Sequence, residues 1–122
     1  MQIKWERGDE RNYIHSYAPG TVRINEASYA ASVIVMPDRL IADWRPQTYE
    51  ALAAEDFAQI AALHPELVLL GTGARLRFPQ PTLARALVEA GIGMEVMDTG
   101  AACRTYTVLM AEGRKVAAAL LL

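Results

Sequence analysis

At 122 residues, with 52% hydrophobic and 21% charged residues, the chain has the composition of a globular protein. It is sized for a single domain over residues 1–122 and is too apolar for disorder. A net charge of −2 supplies no basic field for nucleic acid or anionic lipid. Cys103 is the only cysteine, which excludes an intrachain disulfide and gives no support to secretion.

The opening Met1-Gln2-Ile3-Lys4-Trp5-Glu6-Arg7 runs into charge rather than into the apolar core of a signal peptide. No apolar stretch reaches the ~20 residues of a membrane helix, so the expected location is the cytoplasm, without membrane insertion. The first dozen residues are mostly polar and read as surface. Tyr13 to Tyr17 alternates and reads as a strand, Ala18-Pro19-Gly20 as a turn, and Thr21 to Asn25 as a second strand. Tyr29–Met36 and Leu40–Trp44 flank Pro37-Asp38-Arg39, the pattern of a β-hairpin with a three-residue loop. Trp5, Trp44, Tyr13 and Tyr17 all fall in this N-terminal β layer.

From Glu55 the apolar period lengthens. Phe57, Ile60, Ala61 and Leu63 share a helical face, acidic Glu55 and Asp56 suit its first turn, and Pro65 stops it. Leu67 to Leu70 is apolar at every position, as in a strand covered on both faces. Pro81-Thr82 opens a second helix with Leu83, Leu87 and Val88 as its core face, and Gly91 closes it. Met94 to Met97 reads as the parallel partner of Leu67–Leu70. Thr99 is placed to cap a third helix buried along Ala102, Tyr106, Leu109 and Met110, with Gly113 at its end. Lys115 to Leu121 is the last strand, so Leu120-Leu121-Leu122 tucks into the sheet. The whole is α/β, an N-terminal β layer followed by a βαβαβ unit. Right-handed crossovers are expected to put the two later helices on one face. The first helix and the N-terminal strands would cover the other.

Both parallel strands end in Gly/Thr turns, Gly71-Thr72-Gly73 and Thr99-Gly100, at the carboxyl edge where open α/β sheets place their clefts. Converging backbone N–H groups there favour an anion, and tight turns leaving buried strands explain the same glycines. Gly71-Thr72-Gly73 lacks the third glycine of a dinucleotide fingerprint, and no phosphate-loop Gly-Lys-Ser/Thr is present. Arg104 stands in the first turns of the third helix, where the helix dipole opposes a cation. Either Asp98 pairs with it or it aims at a ligand carboxylate or phosphate. Arg75 and Arg77 follow the first turn and could assist.

Cys103 beside Arg104 near a helix N-terminus has the setting that lowers a thiol pKa, which opens a redox reading. A nucleophile would need a base, and His15 and His64 are the only histidines. These residues show no metal-ligand spacing, and Glu89, Glu95 and Glu112 form no acid/base pair. Glu95 alternates with Met94 and Val96 and should face solvent or an ion partner. The reading therefore leans away from an enzyme and implies no metal and no cofactor.

The run Gly91-Ile92-Gly93-Met94-Glu95-Val96-Met97-Asp98-Thr99-Gly100-Ala101-Ala102-Cys103-Arg104-Thr105-Tyr106 resembles the signature of the small Mth-type α/β domain proteins. That family includes a mitochondrial respiratory complex I assembly factor and an adipogenesis-associated protein. Asp43-Trp44, Leu70-Gly71-Thr72-Gly73 and Glu112 to Leu120 carry the resemblance further, over roughly residues 20–121. Thr107 departs from it, standing where the family has asparagine. The resemblance implies a three-layer α/β fold with a mixed central sheet and an additional β layer. It also implies a shared surface around Gly71, Thr72, Gly73, Arg104 and Thr105. It points to a non-enzymatic binding or assembly-factor protein whose partners are respiratory-complex subunits or other proteins. The alternative is a small-molecule site for an anion, phosphate or carboxylate, or an enzyme of unknown reaction, in the cleft at the strand carboxyl ends.

Overall fold

The computed structural model describes residues 10–122. The expectations for Trp5 and for a polar surface over residues 1–9 lie outside the described residues. Strands β1 (Ile14–Ala18), β2 (Thr21–Ile24) and β3 (Ala27–Tyr29) form an antiparallel three-stranded sheet in that order. Strands β4 (Val33–Met36) and β5 (Arg39–Ile41) follow as a hairpin, then helix α1 (Ala54–Ala61). The β-α-β-α-β run is β6 (Leu67–Thr72), α2 (Arg85–Glu89), β7 (Gly93–Met97), α3 (Thr99–Ala111) and β8 (Val116–Leu121). These strands make a mixed five-stranded sheet in the order β5-β4-β8-β6-β7. β6 is parallel to both β7 and β8, whereas β4 runs antiparallel to β8. The fold is the expected three-layer α/β arrangement.

The hairpin turns more tightly than the sequence suggests. Met36 pairs with Arg39, leaving Pro37-Asp38 as a two-residue loop, and Tyr29 belongs to β3 instead. Two further expectations are corrected. α2 and α3 lie on opposite faces of the central sheet, because the step from β6 to β7 goes outward while the step from β7 to β8 comes back past β6. Right-handed crossovers in opposite directions place their helices on opposite sides. α3 packs with Ile14, Val22 and Ile24 of the small sheet on the face of Leu69, Ala118 and Leu120. Phe57, Ile60 and Leu87 of α1 and α2 cover Val68, Leu70, Ala117 and Ala119 on the other. Trp44 is fully buried in this second cluster and not in the N-terminal layer.

β8 is buried at every position, and its run of alanines lets helices approach closely on both sides. α1 starts where Asp56, itself buried, accepts the Ala53 N–H at 2.8 Å and pairs with Arg45. α2 begins with a 3-10 turn at Pro81–Ala84, and Gly91 (φ +73°) ends it by the predicted left-handed cap. Val88 is 73% exposed, so it is not part of the helix's core face, which Leu87 supplies. Among the described residues no helix is long and apolar enough to cross a membrane.

Candidate functional site

The two Gly/Thr turns meet, as the parallel pairing of β6 with β7 requires. Thr99 donates its backbone N–H to the Gly73 carbonyl at 2.9 Å, and its Oγ1 accepts the Gly73 N–H at 2.8 Å. The same hydroxyl donates to the Leu121 carbonyl at 2.6 Å, so one fully buried side chain ties β6, α3 and β8. Gly71 lies directly beneath. A Cβ there would stand 2.9 Å from Thr99 Oγ1, 3.0 Å from Thr99 Cα and 3.1 Å from Leu120 Cδ2. Thr72 Oγ1 donates to the Arg75 carbonyl at 2.6 Å and accepts the Arg77 N–H at 3.1 Å, which folds the following loop back on itself.

Thr99 does not cap α3. Asp98 does, its Oδ1 accepting the Ala101 N–H at 2.9 Å, because the threonine hydroxyl is already engaged. The Asp98–Arg104 ion pair, one of the two readings of this arginine, does not form, and among the described residues Arg104 has neither a hydrogen bond nor a salt bridge. The guanidinium instead folds back over the first turn, with Nη1 3.4 Å from where a Gly100 Cβ would be. Arg77 is engaged elsewhere, 2.9 Å from Glu50 and stacked 4.0 Å over the Tyr49 ring. Arg75 is exposed.

Arg104 and Gly100 form one wall of an open cleft of about 370 Å³ between α3 and β1. Cys103 and Thr107 continue that wall, and His15, Ser16 and Tyr17 of β1 face it. The cleft thus brings together two of the expected residues, Gly100 and Arg104. Gly71, Thr72, Gly73 and Thr99 form the framework behind them, and Thr105 is half-buried off the cleft wall. Tyr17 Oη is buried without a hydrogen-bond partner among the described residues, and burial, then Cys103 and Asp98, raise its pKa. Sequence reading placed Tyr17 in the β layer but not against α3. No local pattern signals a contact between segments so far apart in the chain. Thr107, where the resemblance implied asparagine, turns its hydroxyl to the Cys103 carbonyl at 3.1 Å and lines the cleft.

Burial pushes the Cys103 thiol up to about 11, a shift that Arg104 only partly opposes. Desolvation therefore outweighs the neighbouring guanidinium, opposite in direction to the lowering that the thiol's place near a helix N-terminus suggests. Among the described residues no group of three or more His, Cys, Asp and Glu is placed to hold a metal.

The chain is 34% identical over 111 residues to the cattle NADH dehydrogenase [ubiquinone] 1 alpha subcomplex assembly factor 3, covering 89% of this chain and 60% of that protein. Among solved structures it resembles a Bordetella parapertussis protein with a TM-score of 0.86 and 37% identity, over 93% of this chain and 98% of that one. A Bordetella pertussis protein described as a Mth938-like domain matches with a TM-score of 0.83 and 30% identity, over 99% and 92% of the two chains. The sequence profile of one family covers residues 14–121, from the first described strand through the last. The chain belongs to that family, described as protein of unknown function (DUF498/DUF598).

Proposed function

We propose that the protein is a non-enzymatic binding protein of the assembly-factor type, acting on subunits of an NADH dehydrogenase in the cytoplasm. The observation that carries this reading is the 34% identity to the cattle assembly factor over nearly the whole of this chain. The contact surface is the cleft of Tyr17, Gly100 and Arg104, held in place by Gly71, Thr72, Gly73 and Thr99, with Thr105 at its margin. An unpaired guanidinium beside a buried, unpartnered tyrosine hydroxyl suits an acidic side chain of a partner subunit. The test is affinity capture from the native host with wild-type and Arg104→Ala baits, read for NADH dehydrogenase subunits and for the amount of assembled enzyme. Capture by the wild type that falls with Arg104→Ala is expected. Identical captures without such subunits overturn the reading.

The same free guanidinium favours a second reading, a small anion such as phosphate or a dicarboxylate held in the cleft. A ligand at 100 times its Kd stabilises the folded state by about 2.7 kcal/mol, a plain shift in thermal melting. No shift with phosphate, nucleotides or dicarboxylates, or one that survives Arg104→Ala, removes that reading.

A further inference from the structure

β7 is the outer strand of the five-stranded sheet, pairing with β6 on one side and, among the described residues, with nothing on the other. Its five residues contain no proline, and its outward backbone groups are those of an open edge. The opposite edge, β5, is only three residues long. On the α2 side of β7, Met94 and Val96 floor an apolar groove of about 380 Å³, with Phe78, Pro81, Val88 and Ile92 along its walls. Phe78 and Val88 are 69% and 73% exposed, an apolar display that the described residues leave largely uncovered. On the other side of the strand stands Glu95, exposed, at its midpoint, and without an ion partner among the described residues.

We propose that this edge and groove take an extended polypeptide segment of another protein as a sixth strand, with a lysine or arginine opposite Glu95. Backbone pairing along the edge supplies affinity, and alternate side chains supply specificity. Residues flanking the basic one drop into the groove over Met94 and Val96, so the recognised pattern is apolar-basic-apolar. Charge selects the occupant. A second copy of this chain pairing antiparallel about the midpoint of β7 sets Glu95 against Glu95, and like charges directly opposite are destabilising. The groove lies on the α1/α2 face, across the sheet from the Arg104 cleft, so this surface does not depend on the reading of that cleft.

The test uses a synthetic peptide that alternates threonine and valine around one central lysine, and a twin with glutamate in the lysine's place. Amide exchange and NMR titration of the full chain read the result. The lysine peptide is expected to protect backbone amides within Gly93–Met97, and the glutamate twin to bind about five-fold more weakly. Glu95→Lys should reverse that preference. Val88→Glu, on an exposed side chain, should weaken both peptides while Arg104→Ala changes neither. Equal binding of the two peptides, no protection of these amides, or a β7-paired dimer of the free protein overturns the proposal.

Discussion

Two neighbouring regions share the first turn of α3 and treat their polar groups in opposite ways. At Thr99 the hydroxyl and the backbone N–H are both used, on Gly73 and Leu121, and Gly71 leaves no room for another atom. At Gly100, the next residue, and Arg104, about one turn further on, a guanidinium and the Tyr17 hydroxyl have no hydrogen-bond partner among the described residues and stand beside open space. A fully satisfied network rigidifies, whereas unspent donors over a cleft are available to a ligand. Function is thus expected one helical turn from the most constrained point of the fold.

The largest effect is expected from Thr99→Val, which keeps the shape and leaves the Gly73 N–H and the Leu121 carbonyl without their partner. Each orphaned group costs about 1–3 kcal/mol, so urea denaturation should register a loss of roughly 3 kcal/mol. A loss below about 1 kcal/mol would mean water replaces the hydroxyl. Gly71→Ala follows, at about 2 kcal/mol by overpacking, since its Cβ meets Thr99 backbone as well as side chain. That variant should also weaken the Gly73–Thr99 bonds, seen as faster amide exchange at both residues.

Alkali probes the border between the two regions. Burial raises the Cys103 thiol from 9.0 to about 11, so the unfolded chain gives up this proton first. Between those values the folded state holds more protons, and stability falls as pH rises. Burial shifts the Tyr106 hydroxyl upward too and adds to the fall at higher pH. Stability measured across pH 9–11 should slope downward, less steeply in Cys103→Ala. Alkylation of the native thiol should stay slow at neutral pH. The smallest effect is expected at Arg104→Ala, within about 0.5 kcal/mol because the side chain has no hydrogen-bond or ion partner among the described residues to lose. Its effect should appear instead in partner capture or anion binding. Tyr17→Phe should likewise leave stability level or slightly higher, since it removes a buried hydroxyl that has no bond.

The sequence makes the βαβ unit legible because its signals are local. An unbroken apolar run at Leu67–Leu70, a glycine turn, proline at the entry to α2 and glycine at its exit all act within a few residues. The meeting of the Gly73 and Thr99 turns follows from parallel pairing alone. Non-local choices stay hidden. Val116 to Leu121 announces burial but not which strands flank it, and that placement decides the faces of α2 and α3. Asp98 and Thr99 are both good caps, and the choice turns on Gly73 and Leu121, residues distant in sequence. The cleft is illegible for the same reason: its two walls come from the first described strand and the last helix. For Cys103 the local environment and the global one disagree, and only the packed structure gives the sign.

β8 also sets a condition on assembly of the fold. Among the described residues it alone joins the β4–β5 ribbon to the β6–β7 pair, and it is the latest of these elements to be translated. Until it arrives, the apolar margins of β4 and β6 are both open templates for intermolecular pairing. A chain lacking Val116–Leu121 would therefore leave two unpaired apolar strand margins, and one inserted strand joins them into a continuous sheet.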